Sequence, residues 1–216
     1  MGPEMRRHWL LTIVILAAVL VVADIAARAA AEAGVAKALE KKVQTASTPK
    51  VGISGTPFLL HLFTGRFPSV TIDAQDVRSD SVTLSSFHAV LRQVRAPAFA
   101  LARGKGGTIT AVSGTGTATI SAEEAGALLR SHGIDGDVTF SDGQAHVHIP
   151  AVGVTVSLEV DVQPHGLVLR AAGFPASLPL DLPSPVSGIR YTSARVVGDA
   201  LVLAFALDHP SFTVAG

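Results

Sequence analysis

Strict twofold alternation marks residues 152–162, which read VGVTVSLEVDV. Every second residue is Val or Leu, and small or polar residues stand between them. Because successive side chains of a β-strand point to opposite faces of a sheet, this pattern predicts a strand with one buried face and one wet face. The turn signal PHG at residues 164–166 follows, and the alternation resumes from Leu167. The stretch therefore predicts part of an antiparallel meander.

Twofold patterning dominates the chain after Gly55. The Asp142-Gly143 pair separates two short alternating runs and suits a type I′ hairpin turn. A Gly198-Asp199 turn likewise follows a predicted strand at residues 189–197. An earlier pair of strands is predicted at residues 67–77 and 82–94.

Helical signals interrupt the strands in few places. Ser121 and Glu124 form a capping box, which typically begins a helix. The Ala-rich residues 25–48 are expected to form a helix that leads into the body of the protein. Residues 95–107 and the Pro-rich residues 174–188 are expected to be loops or short helical turns at the sheet margin. The predicted class is α+β, with a long antiparallel sheet and a few helices.

The first 24 residues resemble an export signal. Arg6 and Arg7 precede an uncharged stretch at residues 9–23, which is about 15 residues long and short of the ~20 that cross a bilayer straight. This arrangement fits either a cleaved signal peptide or an uncleaved signal anchor. We therefore expect a protein exported to the periplasmic space or to the outer face of the cytoplasmic membrane.

The organisation that follows has three parts. Residues 1–24 are the signal peptide or signal anchor, residues 25–48 are the connecting helix, and residues 49–216 are a single α+β domain. About 150 residues per domain is the usual size, so one domain accounts for the body of this chain.

Composition excludes several classes of function. Lys and Arg total 17 and Asp and Glu total 17 among 216 residues, so the basic footprint of a nucleic-acid-binding protein is missing. The absence of Cys excludes disulfides, thiolate nucleophiles and cysteine zinc sites. Neither a nucleophile elbow nor a phosphate-binding loop occurs. We predict that the protein is not an enzyme and uses no cofactor.

Two histidines are the best candidates for a metal site. His146 and His148 lie two apart on a predicted strand and therefore share a face. A metal site needs a third ligand, which the pattern does not identify. Solvent-facing histidines in a hairpin explain the pattern better, and we predict no metal site.

Residues 55–70 combine an apolar run with a single cation. Three of the nine Phe residues lie here, namely Phe58, Phe63 and Phe67. Two interpretations stay open at this point. The run packs in the core after a turn, or it forms one wall of an apolar cavity with Arg66 and His61 at the polar margin.

Several short motifs, in this order, resemble a known family. They are Gly55-x-Pro57-Phe58-Leu59, Gly65-x-Phe67-x-x-Val70, Gly116-Thr117-Ala118 before Ser121 and Leu128-Leu129, and Gly188-Ile189-Arg190 with Ser193, Arg195 and Val196. The series is similar to the actinobacterial envelope family of phospholipid-binding proteins that includes the mycobacterial lipomannan elongation factor, from about residue 33 onward. The resemblance implies a tubular lipid-binding, BPI-like fold, in which a long bent antiparallel sheet wraps around a helix and forms an apolar tunnel.

The resemblance also implies a function. It implies that the protein binds or carries phosphatidylinositol-type phospholipid in the cell envelope, without catalysis, in support of the assembly of mannosylated glycolipids. The N-terminal segment would attach it to the membrane. The expected lipid-binding residues are Phe58, Leu59, Leu62, Phe63 and Phe67, with Arg66, Arg190 and Arg195 for the headgroup. The alternative is a structural or interaction module that tethers an envelope biosynthetic enzyme through a sheet edge and has no lipid ligand.

Overall fold

Helices and antiparallel strands make up most of the computed structural model, which describes residues 3–42, 44–45, 47–78, 83–102, 105–131, 133–163, 166–171, 177–181 and 188–214. The helices in these ranges are α1 (Pro3–Lys42), α2 (Phe58–Thr64), α3 (Ala98–Ala102) and α4 (Ala122–Ser131). The strands are β1 (Gln44–Thr45), β2 (Lys50–Ile53), β3 (Arg66–Arg78), β4 (Thr83–Arg95), β5 (Gly107–Thr110), β6 (Ser113–Ser121), β7 (Asp137–Ser141), β8 (Gln144–Ile149), β9 (Val154–Gln163), β10 (Gly166–Ala171), β11 (Ser177–Asp181), β12 (Ile189–Val197), β13 (Ala200–Asp208) and β14 (Ser211–Val214).

The strands form two antiparallel sheets. The larger sheet has nine strands, with the main order β1-β3-β4-β6-β13-β12, while β2 pairs with β3 and β5 joins β4 to β14. The smaller sheet has five strands in the order β11-β10-β9-β8-β7. Together with the helices, these sheets confirm the predicted α+β class.

Most local predictions are confirmed. Strands β3 and β4 cover residues 67–77 and 83–94 of the predicted pair, and residue 82 lies outside the described residues. Asp142 and Gly143 both have positive φ, 53° and 75°, as a type I′ turn requires. In the capping box of α4, the N–H of Glu124 donates to Ser121 Oγ at 3.3 Å, and the N–H of Ser121 donates to Glu124 Oε2 at 2.7 Å.

Two local predictions are wrong. Residues 58–64 form a helix rather than continuing the twofold pattern, because Phe58 and Leu62 are spaced to face the core together from one side of a helix. Residues 177–181, expected to be a loop, form β11 at the edge of the five-stranded sheet. An edge strand accommodates Pro179, which has no N–H to donate. The short helix expected within residues 95–107 is confirmed as α3.

One face of the nine-stranded sheet is apolar over five strands. In the register, Ala89 lies opposite Gly116 and Gly116 lies opposite Phe205, so these positions share a face. We call this face the inner face. It carries Val70, Ile72, Ala74, Phe87, Ala89, Leu91, Gly114, Gly116, Ala118, Ile120, Ile189, Tyr191, Ala194, Val196, Leu201, Leu203, Phe205 and Leu207. Gly116 has no alternative, because a Cβ there would lie 2.4 Å from the Phe205 ring and 2.3 Å from the His88 carbonyl oxygen.

Helix α1 runs without a break from the apolar segment into the body. Its part Val14–Glu40 is long and apolar enough to cross a membrane, and no residue of its most apolar window is buried. A signal sequence or an anchor has the same properties. Helix α1 covers residues 25–42 of the predicted connecting helix, whereas Gln44–Thr45 of the same segment form β1.

Three polar side chains, spaced four residues apart on α1, join this helix to β2, to α2 and to the loop between them. Asp24, Arg28 and Glu32 lie on one face of the helix because of this spacing. The Asp24 carboxylate accepts hydrogen bonds from the N–H groups of Phe58 (2.9 Å) and Leu59 (2.7 Å), Arg28 donates to the Gly55 carbonyl, and Glu32 Oε1 accepts from the Ile53 N–H at 2.9 Å. We call the end of the sheet beside Asp24, where β3 begins and β4 ends, the anchor end. The opposite end is the far end.

Candidate functional site

The N-terminus of α2 is buried at the anchor end. Phe58 is fully buried, its ring lies 6.0 Å from the ring of Phe67, and the Arg28 guanidinium lies 5.8 Å above it. Leu59 and Leu62 are half-buried in the same region. Three of the predicted apolar site residues therefore pack together here, because Phe58 and Phe67 belong to the main buried cluster and Leu62 packs against it.

Three large apolar side chains are exposed beside this packing. Leu60 and Phe63 on α2 are 58% and 71% exposed, and Phe99 on α3 is 43% exposed. The rings of Phe63 and Phe99 lie 5.4 Å apart. We call Leu60, Phe63 and Phe99 the apolar tip. Phe63, the fifth predicted apolar residue, thus faces outward, unlike Phe58.

Two arginines face each other where β3 begins and β4 ends. Arg66 and Arg95 are register partners, and both side chains are exposed. They line an open cleft of about 250 Å³, which we call the arginine cleft. Its other lining residues are Thr64, Gly65, Ala96, Pro97, Thr108 and Thr110. No described carboxylate forms an ion pair with either arginine.

The local charge around the cleft is one-sided. Residues 54–66 and 95–110 together hold four Lys and Arg residues and no Asp or Glu. This imbalance occurs in a chain whose total charge is zero, so these two segments are locally cationic. A cationic cleft with two neighbouring arginines suits a phosphate group, because arginine binds phosphate through paired hydrogen bonds.

The other two predicted arginines lie elsewhere. Arg190 and Arg195 are on β12, which is separated from β3 by β4, β6 and β13, or about 19 Å at the usual strand spacing. Arg190 lies 3.8 Å from the carboxylate of Asp208. The structure therefore groups Arg66 with the apolar residues of α2 and does not bring Arg190 or Arg195 to them. Their headgroup role stays a prediction.

A second candidate feature is an apolar cavity near the far end. It lies between α4, the inner face and the five-stranded sheet, and its volume is about 40 Å³. All of its lining residues are apolar: Ile120, Ala125, Leu128, Leu129, Val138, Phe140, Ala145, Val147, Leu158, Val160, Leu167, Leu169 and Leu201. Such a lining favours a hydrocarbon ligand and offers it no hydrogen bond.

None of the predicted site residues lines this cavity. They are connected to it through the core, because Phe58, Phe67 and the cavity residue Leu169 belong to one contiguous buried cluster. Sequence reasoning missed the cavity although the signals were present, since Leu158 and Val160 belong to the alternating stretch 152–162. No sequence pattern indicated that Arg95 belongs to the site, because only the strand register shows that it lies opposite Arg66.

The two histidines considered for a metal site have local partners. His146 Nδ1 lies 3.0 Å from Ser157 Oγ, and His148 Nδ1 lies 3.1 Å from Thr155 Oγ1. Within the described part of the chain, no group of three His, Cys, Asp or Glu residues could hold a metal ion.

Comparison with known proteins gives one positive result. No curated protein and no solved structure matches the chain. A family described as LmeA-like phospholipid-binding matches residues 22–206. This range includes Asp24, the apolar tip, the arginine cleft and the apolar cavity. Because the match covers most of the chain, the protein belongs to the LmeA-like phospholipid-binding family.

Proposed function

We propose that the protein binds phospholipid at the envelope membrane and carries it without changing it chemically. The observation that carries the proposal is the wholly apolar cavity between α4 and the two sheets, in a member of a phospholipid-binding family. Burial of an acyl chain among such residues gains about 25 cal/mol per Å². The lining has no nucleophile or proton donor, so it supports binding but no reaction at the chain.

The acyl chain would occupy the seam between the sheets. From Val94 to Phe87, β4 runs for about 23 Å, while one leaflet of a 30 Å hydrocarbon core is about 15 Å thick. The inner face is therefore long enough for an acyl chain. The present cavity of about 40 Å³ is far smaller than the roughly 300–1,000 Å³ of usual ligand pockets, so α4 and the sheets must separate to admit lipid.

The arginine cleft would bind the headgroup phosphate. Arg66 and Arg95 supply two cations without a carboxylate partner in the described structure, which favours an anionic lipid. Arg190 and Arg195 are secondary candidates on β12. The resemblance noted from the sequence extends the proposal to phosphatidylinositol-type lipids and to a supporting role in the assembly of mannosylated glycolipids.

We also propose that residues 1–24 are retained as a signal anchor, with the body outside the cytoplasmic membrane. The contacts of α1 support retention. Cleavage after a small-x-small site such as residues 27–29 would remove Asp24, which accepts two hydrogen bonds from the start of α2. Residues 25–48 then connect the anchor to the lipid-binding domain at residues 49–216.

The direct test is mass spectrometry of the full chain purified from its own membranes in mild detergent. We expect organic extracts to contain a stoichiometric phospholipid, with an inositol headgroup enriched over the bulk membrane. Intact-protein mass from the same sample should include residues 1–24. An extract without specific lipid would contradict the carrier and favour the adaptor, and a lipid hydrolysed or glycosylated during incubation would contradict a non-catalytic role.

The role of the arginine cleft has its own test. Changing Arg66 to Glu should weaken binding of anionic phospholipid by about fivefold, or about 1 kcal/mol, and leave binding of neutral phospholipid unchanged. Arg95→Glu should behave alike. Arg130→Glu, an exposed arginine in the last turn of α4, is the matched control. The cleft is not the headgroup site if all three variants bind anionic lipid equally well.

A further inference from the structure

The uncharged part of α1 is shorter than a straight membrane span. Residues 9–23 give about 22 Å of helix at 1.5 Å per residue, against about 30 Å of hydrocarbon. A short span is accommodated when the bilayer thins or when neighbouring groups move into it. The bilayer surface is therefore drawn toward Asp24 and the first turns beyond it.

The helix that carries Leu60 and Phe63 of the apolar tip is joined to α1 at Asp24. Asp24 holds the N-terminus of α2 through two backbone hydrogen bonds, and Phe63 is five residues further along this helix, a rise of about 7.5 Å. The interfacial layer on each side of the hydrocarbon is roughly 5–7 Å thick. A side chain at this distance from the end of the apolar segment is within reach of the bilayer.

Charge around the apolar tip complements a membrane surface. The two segments that carry the tip, residues 54–66 and 95–110, contain cations and no carboxylate. The nearby carboxylates on α1, Asp24 and Glu32, both accept hydrogen bonds from backbone N–H groups. Exposed aromatic and aliphatic residues within a cationic rim are typical of surfaces that insert into anionic bilayers.

We propose that the apolar tip, Leu60, Phe63 and Phe99, inserts into the outer leaflet beside α1 and so fixes the body upright with the arginine cleft at the lipid headgroups. The two attachments are directly connected, because Asp24 binds the start of α2, Arg28 binds the loop before it and Glu32 binds the end of β2. The proposal concerns the bilayer as partner and rests on retention of the anchor, not on occupation of the apolar cavity.

The absence of Cys allows a direct test, since any introduced Cys is a unique labelling site. The full chain carrying Phe63→Cys is labelled with a nitroxide and placed in nanodiscs of phosphatidylglycerol and phosphatidylcholine. We expect the label to collide more with oxygen than with a water-soluble nickel complex, as a bilayer-buried probe does. Phe99→Cys, on the other helix, should report a similar depth.

Val197→Cys is the matched control, because Val197 is 60% exposed and precedes the β12–β13 turn at the far end. Its label should collide mainly with the nickel complex. The proposal would be overturned if the labels at both Phe63→Cys and Phe99→Cys collided more with the nickel complex than with oxygen. A label protected from both reagents would also overturn it, since this indicates contact with a second protein. Depth is measured whether or not lipid copurifies, so either result is independent of the carrier function.

Discussion

Replacement of Ala125 by Leu is expected to lower the phospholipid that copurifies with the protein by about tenfold. Ala125 lines the apolar cavity from α4, and Leu adds an isopropyl group to a space of about 40 Å³. The added group occupies the volume that an acyl chain needs. Overfilling a packed site costs about 1–3 kcal/mol, and 1.4 kcal/mol corresponds to tenfold in binding.

Ala127→Leu is the matched control, since Ala127 lies two residues away on the same helix and is exposed. Both variants keep a good helix former in α4, so their circular dichroism should equal that of the parent protein. Lipid and protein are quantified in the same purified sample. Equal lipid content in the two variants would place the acyl chain outside this cavity.

The secondary structure was predictable where one local pattern determines it. The capping box of α4, the Asp142-Gly143 turn and the alternation of β9 each reflect a short-range physical requirement, and each is found in the structure. Helix α2 was not predictable in this way, because its seven residues read as an apolar run without a clear period. A run this short is compatible with either a helix or a strand.

The candidate site was less predictable because it depends on register and on packing between distant elements. Arg66 and Arg95 become neighbours only through the pairing of β3 with β4, and nothing in their sequence separation indicates it. The cavity depends on three elements meeting, namely α4 and the two sheets. The choice left open for residues 55–70 also required the structure, which places Phe58 in the core and Phe63 at the surface.

The contrast between Phe58 and Phe63 gives the largest expected effect on stability. Phe58→Ala should lower the free energy of unfolding by about 3–5 kcal/mol, because a fully buried ring is replaced by a cavity between Phe67 and Arg28. Phe63→Ala should change it by less than about 0.5 kcal/mol, because that ring is 71% exposed. Urea unfolding of the full chain in mild detergent measures both values.

Charged substitutions at the same two positions distinguish a role in packing from a role in lipid uptake. Phe63→Asp should remain folded, because an exposed carboxylate keeps its hydration, whereas Phe58→Asp should unfold the anchor end, because a buried charge without a partner is costly. The folded Phe63→Asp variant should also take up less phospholipid from vesicles, since the charge opposes contact with the bilayer beside the arginine cleft. Undiminished uptake by a folded Phe63→Asp protein would remove Phe63 from the path of the lipid. Residues 58–64 would then act only as a structural brace that α1 holds in place through Asp24.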